Sequence, residues 1–414
     1  MSTTGLADNV RKYRRTAGLS QEGLAEAADL SLSTVRKVEQ GGDARVETLH
    51  ALARALGVTT SALFATEAPR SVVGPQDDAN RQHLAELRRA LMPPVGLSPH
   101  VAEFVEAAEL GATREHVRDA RALYEKDRYS SVAKMLPNLL RTSEAAVAAL
   151  EGEDQQHAMI ARSQVLLMTG QFLTQVRQYD MGYFALAEAI KLAKENGQTL
   201  TAATGVVGMC WLLLRQDRFD ECEALAARAA AEIEPRMSGA TTQHLAVWGE
   251  LWLRVAASSR RNNRPDVAGE ARRMAATAAS AMGREDMSFP DHWGGFGPAT
   301  AEMKAVEDLV LDGDMRGVLR RSDEGPLSAN GLRALGGVTA NNWNRHRLDV
   351  VRASVETGEH QEAIAELKRI HHRAGGWLTH QPMARHVMTD LLKTRKRTLT
   401  QDMRDMAAHL NVVE

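Results

Sequence analysis

The sequence predicts an all-α protein in which a small N-terminal module is followed by a long array of helix pairs. Three observations support this fold class. Short apolar stripes at helical spacing follow N-cap residues near the N-terminus. Beyond it, a bulky residue followed three positions later by a small one recurs through the chain. Ala and Leu are abundant and aromatic residues make up only 4% of the sequence, which favours helices over sheets.

The stretch Leu19 to Gly41 contains two short helical patterns that meet at a tight turn. Ser20 and Ser31 stand where N-cap residues are expected, so the helices are predicted to begin just after them. Val35 and Val38 form the inner stripe of the second helix, which is predicted to span about residues 32–40. Polar side chains on its outer faces are therefore available to contact base edges and phosphates.

This stretch resembles the DNA-binding domain of the phage-repressor-like, or XRE, transcription regulators. The matching text is VRKYRRTAGLSQEGLAEAADLSLSTVRKVEQG followed by VETLHALARALGVTTSALF. The resemblance implies a five-helix helix-turn-helix domain over residues 1–66, with helices at about 6–16, 20–28, 32–40, 46–56 and 59–65. By the same resemblance, Gln21 is expected to contact the DNA backbone or a base, and Ser33, Thr34 and Arg36 to face the major groove. The full set of predicted DNA-binding residues is Gln21, Ser31, Leu32, Ser33, Thr34, Arg36 and Lys37.

The resemblance also implies that Arg14 and Glu39 form a structural ion pair beneath the recognition helix. The chain departs from the family pattern at Asp29, where Gly commonly makes the turn, and at Leu32, where a polar base-reading residue is common. Asp tolerates the left-handed conformation, so we expect the turn to be retained. Leu32 is able to contact a thymine methyl group instead.

The charge balance predicts that DNA is bound by two copies of the chain. The net charge of the 414-residue chain is −2, and residues 1–66 carry eight basic and seven acidic residues. One module alone would release few counterions from DNA, so a homodimer is expected. The N-terminus has no apolar signal core and no stretch approaches 18 apolar residues, which predicts a soluble cytoplasmic protein with no membrane partner. Cys210 and Cys222 are interpreted as reduced core thiols.

Residues 67–112 are interpreted as a linker with short helices, among them an amphipathic helix over Arg81–Leu91. Residues 113–414 are predicted to be helical almost throughout, and pairs of a bulky and a small residue recur there at intervals of 40 to 50 residues. The pairs are Tyr129 with Val132, Tyr179 with Gly182, Phe219 with Cys222, Pro265 with Ala268, Met315 with Val318, and His360 with Ala363.

This pattern resembles the tetratricopeptide repeat, although that repeat is usually about 34 residues long. The resemblance implies an α-solenoid of tetratricopeptide-like helix pairs with a concave inner face. Two segments rich in Gly, Pro or Ser, residues 284–298 and 322–339, interrupt the array. They are interpreted either as connecting loops or as a lid over the concave face.

The candidate ligand-binding residues lie in this repeat domain. They are Trp248, Trp252, Trp293, Asn342, Trp343 and Arg345. Tryptophan can equally be a core residue, and the segment NNWNRHRLD can equally be a solvated helix start. Its amide and guanidinium groups would suit a peptide backbone or an acidic small molecule.

The sequence contains no P-loop, GxSxG, HExxH or dinucleotide-binding motif, so an enzyme is not predicted. His371, His372, His380 and His386 match no closed zinc site, and neither a metal nor another cofactor is predicted.

The predicted function is a sequence-specific, homodimeric transcription regulator that reads an inverted repeat in double-stranded DNA at the nucleoid and senses a small-molecule or peptide effector. The arrangement resembles that of the peptide-sensing regulators of Gram-positive bacteria, and the Ala- and Arg-rich composition resembles that of actinobacterial proteins. The alternative is a DNA-tethered scaffold whose repeat domain binds a protein partner.

Overall fold

The computed structural model describes residues 3–16, 19–42, 44, 46–56, 63, 75–94, 110–286, 295–394 and 400–412. These residues form 20 α-helices and no strand, which confirms the predicted all-α class. Among the described helices, none combines the length and apolar character needed to cross a membrane. The chain divides into two compact units, Met1–Arg81 and Gln82–Glu414.

The first unit is built on four described helices around one core. They are α1 (Thr3–Thr16), α2 (Gln21–Ala27), α3 (Leu32–Glu39) and α4 (Val46–Ala55). The side chains of Val10, Leu24, Val35, Leu52 and Leu63 are fully buried and pack together. The predicted fifth helix lies outside the described residues except at Leu63. The apolar stripes seen in the sequence therefore lie on the helix sides that face this core.

The second unit consists of consecutive helices that pack on their neighbours in the chain. They are α5 (Pro75–Leu91), α6 (Leu110–Glu125), α7 (Tyr129–Ala149), α8 (Gly152–Gln175), α9 (Tyr179–Glu195), α10 (Thr199–Arg215), α11 (Phe219–Glu232), α12 (Thr242–Arg261), α13 (Pro265–Met282), α14 (Pro298–Asp312), α15 (Met315–Arg321), α16 (Ala329–Leu335), α17 (Ala340–Glu356), α18 (His360–Thr379), α19 (Pro382–Thr394) and α20 (Gln401–His409). Helix α5 begins at Pro75, earlier than the predicted Arg81, and its Leu87 and Leu91 pack in the core of the second unit.

The bulky residues of the sequence pattern mark helix starts. Each of the six is the first residue of the second helix in its pair, namely Tyr129, Tyr179, Phe219, Pro265, Met315 and His360. The small residues three positions later face inward, and the side chains of Val132, Cys222, Ala268, Val318 and Ala363 are buried. The pattern predicted five or six helix pairs, and each of its six bulky residues begins a helix.

The same backbone turn precedes all six of these helices. Two positions before each helix the chain adopts a left-handed conformation, at Asp127, Arg177, Asp217, Asn263, Gly313 and Gly358. The next residue's N–H then donates to a carbonyl five residues back, as from Arg128 to Leu123 at 2.9 Å and from Arg264 to Ser259 at 2.8 Å. This is the hydrogen bond of a Schellman C-cap, and it folds each helix back against the one before it.

Small residues also allow the two helices of a pair to approach each other closely. A Cβ atom on Gly170 of α8 would lie only 2.5 Å from Cγ of Leu186 on α9. Cys210 of α10 and Cys222 of α11 are both buried, free thiols, as predicted. Large side chains have no room at these positions, which explains why the sequence uses Gly and Cys there.

The two segments that interrupt the array are anchored in the core of the second unit. Asp286 and Phe296 form an antiparallel bridge, and the Phe296 ring is fully buried. Residues 287–294, with the candidate Trp293, lie outside the described residues. The segment 322–339 contains helix α16, capped by Ser328, and a buried Leu327, so its interpretation as a loop is wrong over these residues. The Ser328 hydroxyl accepts from the Gly331 N–H and starts a short helix that the Gly content obscured.

Candidate functional site

Helices α2 and α3 meet at a turn whose geometry follows from three polar residues. The Ser20 hydroxyl accepts a hydrogen bond from the Gly23 N–H at 2.9 Å, and that of Ser31 accepts from the Thr34 N–H at 3.2 Å. Both N-caps match the prediction. Asp29 has a φ of 55°, which confirms that Asp takes the left-handed position of the turn.

A buried ion pair holds α3 against α1. Arg14 donates to Glu39 from Nε at 2.6 Å and from Nη2 at 3.2 Å, and Gln21 donates from Nε2 at 2.7 Å. The Glu39 side chain is only 2% exposed. Burial alone would raise the pKa of Glu39, but the hydrogen bonds from Arg14 and Gln21 outweigh it and hold this pKa below its ordinary value. Gln21, predicted to contact DNA, thus also supports the base of the recognition helix.

The outer face of α3 is polar and exposed to solvent. The hydroxyl of Ser31 lies 2.8 Å from the hydroxyls of both Ser33 and Thr34, so the three form one cluster. Arg36 is exposed, and its Nη2 lies 3.3 Å from the equally exposed Glu22 carboxylate. An exposed pair of this kind contributes little to stability, so Arg36 can leave Glu22 for another acceptor.

The remaining predicted DNA contacts lie on the same helix. Leu32, its first residue, is half-buried, whereas Lys37 is exposed. Val35 and Val38 point into the core and fix which side of α3 faces outward. The helix therefore presents a mixed face of hydroxyl groups, cations and one apolar side chain.

The second unit contains a cavity of about 260 Å³ that is lined mainly by the first helices of successive pairs. Its wall combines apolar side chains with amides and charges. The main lining residues are Gln171, Gln175, Trp211, Leu214, Arg215, Glu250, Leu253, Arg254, Arg261, Lys304, Glu307, Asn341, Asn342, Arg345 and Trp377. Residues far apart in sequence meet here because each helix pair contributes its inner side to one surface.

Cations outnumber acids on this wall, with five Arg and Lys side chains against two carboxylates. Glu250 pairs with Arg254 at 3.1 Å. Glu307 pairs with Arg261 at 2.5 Å and with Lys304 at 2.8 Å. Although Glu307 is buried, the neighbouring cations keep its pKa well below the ordinary value, so it remains charged.

Of the five predicted ligand residues that the structure describes, two line this cavity. Asn342 and Arg345 are three positions apart on α17 and share its inner side. Trp343 does not line the cavity and contacts His346 and Arg347 instead, with Arg347 stacked 5.6 Å above its ring.

Trp248 and Trp252 also lie outside the cavity, so their interpretation as ligand contacts is not supported by the structure. The two rings meet edge to face at 6.1 Å, and Trp248 belongs to the core. Sequence reasoning missed Trp211, Arg215 and Trp377, which do line the cavity. The sequence feature that could have indicated a site here is Arg215, a cation that directly follows the apolar run WLLL at the end of α10.

His346 makes the stability of the second unit dependent on pH. Its side chain is 2% exposed and its Nε2 donates to the Ser322 carbonyl at 3.2 Å. Burial lowers the pKa of His346 from 6.5 to about 4. Because the pKa of His346 is lower in the folded state, the unfolded state takes up a proton first as the pH falls. The free energy of unfolding is therefore highest above pH 6.5 and decreases between pH 6.5 and 4. We expect a loss of about 2–3 kcal/mol over this window. Thermal unfolding at several pH values should show that His346→Gln loses less stability than the wild type over this range. An equal dependence of stability on pH in the two proteins would contradict the role of His346.

Comparison with known proteins identifies the first unit. A helix-turn-helix family model matches residues 10–63. Together with the described helices, it shows an XRE-type helix-turn-helix domain at the N-terminus, the domain of DNA-binding regulators. No curated protein sequence matches the chain.

Two solved structures resemble the chain at low similarity. One is PlcR of Bacillus thuringiensis in complex with the peptide PapR7 and DNA, at 13% identity over 68% of this chain and 96% of that one, with a TM-score of 0.27. The other is the apo form of ComR from S. thermophilus, at 11% identity over 84% of this chain and 93% of that one, with a TM-score of 0.22.

Proposed function

We propose that the protein is a sequence-specific transcription regulator that binds an inverted repeat as a homodimer. The observation that carries this proposal is the exposed polar face of α3 on a rigid helix-turn-helix core. Ser33, Thr34 and Arg36 would read base edges in the major groove, and Lys37 would contact phosphate. The protein would act on DNA in the cytoplasm, with domains at 1–66 and 113–414 joined by a linker.

The homodimer is proposed because one module has too little positive charge to hold DNA tightly. Two modules would engage half-sites about 34 Å apart, on one side of the duplex. The tetratricopeptide-like unit would supply the dimer contacts and hold the two recognition helices at this separation. An effector that altered the packing of the helix pairs would change the separation and therefore the affinity for the operator.

The cavity favours an effector over the alternative of a protein-binding scaffold. It has a bounded volume and combines two tryptophans with unevenly balanced charges, which suits a small molecule or a short peptide end. A scaffold would be expected to present a continuous open groove. PlcR is described as a complex with a peptide and DNA, and an effector of peptide type is accordingly one candidate here.

Arg36→Ala should weaken binding to the operator by about 1–3 kcal/mol if the guanidinium contacts a base. The measurement is fluorescence anisotropy of the full-length protein on DNA from its own upstream region and on random DNA, over a range of salt concentrations. Lys37→Ala should instead weaken binding to both DNAs equally and reduce the salt slope by about one.

Glu22→Gln is the matched control for this experiment, since it removes the exposed acid that Arg36 contacts and leaves Arg36 in place. Its affinity should equal or exceed that of the wild type. Equal losses for Arg36→Ala on operator and random DNA would show that Arg36 contacts phosphate only. An Arg36→Ala variant with unchanged affinity for both would refute the proposed reading face.

A further inference from the structure

Two arginines of the cavity, Arg215 and Arg345, form no direct ion pair among the described residues, although the charge of Arg345 acts to lower the pKa of Glu307 and of Asp349. Among the described residues, no carboxylate lies within ion-pair distance of Arg215 or Arg345, and the Nε of each is buried without a hydrogen-bond acceptor. The two acids of the wall, Glu250 and Glu307, already pair with other cations. A charge without a direct partner in a partly desolvated site is costly, so this pair of guanidinium groups points to an anionic partner.

An amide beside them is also incompletely bonded. Gln171 is 6% exposed, yet its Oε1 has no hydrogen-bond partner among the described residues. Buried polar atoms are almost always bonded to protein, water or a ligand. Unpartnered groups from α8, α10 and α17 thus converge on one space.

The two guanidinium groups lie close enough for the charge of one to affect the other. Burial lowers the pKa of Arg215, and the positive charge of Arg345 lowers it further. Trp211 holds Arg215 in place, because the guanidinium carbon lies 5.5 Å from the centre of the indole ring. Two like charges held close together by the fold are stabilised by a negative charge placed between them.

The rest of the wall limits the size and character of the partner. Leu214, Leu253, Trp211 and Trp377 supply an apolar surface next to the cations. The cavity volume of about 260 Å³ equals roughly nine water molecules in the liquid. This space suits one compact molecule with an acidic end and an apolar body.

We infer that the cavity binds a compact carboxylic acid, with the carboxylate held between Arg215 and Arg345 and the apolar body against Trp211 and Trp377. The inference rests on the proposed regulator function only in treating this acid as the effector. Each guanidinium would donate hydrogen bonds to the carboxylate.

The test is isothermal titration of the full-length protein, without DNA, with 3-phenylpropanoate and with its uncharged amide. We expect the carboxylate to bind at millimolar concentration or below, and the amide to bind at least tenfold more weakly. Arg215→Met and Arg345→Met should each weaken the binding of the carboxylate at least tenfold. Each should also raise the thermal midpoint of the unliganded protein, because an unpaired charge is removed.

Two control variants test whether binding depends on this cavity, and one peptide tests the size of the ligand. Arg352→Met removes an arginine of the same helix that pairs with Glu356, and its binding should equal that of the wild type. Arg36→Ala should also bind the acid normally, so failure to bind DNA and failure to bind acid are separable. Absence of carboxylate binding, equal binding of the amide, or no effect of either Met variant would overturn the inference. Tighter binding of a pentapeptide with a free carboxyl end would overturn the size assignment.

Discussion

Replacing Arg14 with alanine should destabilise the first unit by about 3–5 kcal/mol and abolish DNA binding. The reason is that Glu39, with only 2% of its side chain exposed, would keep the hydrogen bond from Gln21 but lose its ion pair with Arg14. A charge left unpaired in a core costs far more than an exposed ion pair contributes. Hydrogen exchange followed by mass spectrometry on peptides from α1 to α4 would measure this loss within the full-length chain.

Arg36→Ala is the control for Arg14→Ala, because its partner Glu22 is exposed. It should cost less than about 1 kcal/mol of stability while also impairing DNA binding. The double variant Arg14→Leu/Glu39→Leu should recover most of the stability, since an apolar pair can replace a buried ion pair. Full protection of α1 to α4 in Arg14→Ala would show that the ion pair is not structural.

The turns of this protein could be predicted from sequence because they depend on local chemistry. Ser20, Ser31 and Asp29 each act within four residues of their own position, through a cap or a left-handed backbone angle. The bulky and small residues at the helix starts are similarly local. Tyr129 and Val132, for example, are fixed by the turn at Asp127. Such signals survive in the sequence even when the repeat length is irregular.

The cavity could not be predicted in the same way because its residues come from helices far apart in the chain. Gln171, Arg215, Arg254 and Arg345 meet only once the helix pairs have stacked. Tryptophan alone did not distinguish the two environments, since Trp248 belongs to the core whereas Trp211 and Trp377 line the cavity. The informative feature was a polar side chain on an otherwise apolar helix side, and its meaning depends on which other helices face it.

Phe296→Ala should destabilise the second unit by about 3–5 kcal/mol. The ring is fully buried, and it occupies the space left by the missing side chain of Gly249, where a Cβ atom would overlap the ring. Removing it would leave a cavity between α12 and the segment that joins α13 to α14, because the helices cannot collapse without breaking the bridge to Asp286. Urea unfolding followed by tryptophan fluorescence would measure the loss.

The close fit between Phe296 and Gly249 provides a stricter test than the single variant. Gly249→Ala should destabilise the wild type by about 1–3 kcal/mol through overpacking, but should be harmless or favourable in the Phe296→Ala background. Phe184→Ala, at a ring that is 37% exposed, should cost less than about 1 kcal/mol. Additive effects of the Gly249 and Phe296 changes would mean that the two residues do not share one space. The segment after α13 would then be anchored through the backbone bridge at Asp286 rather than through its aromatic ring.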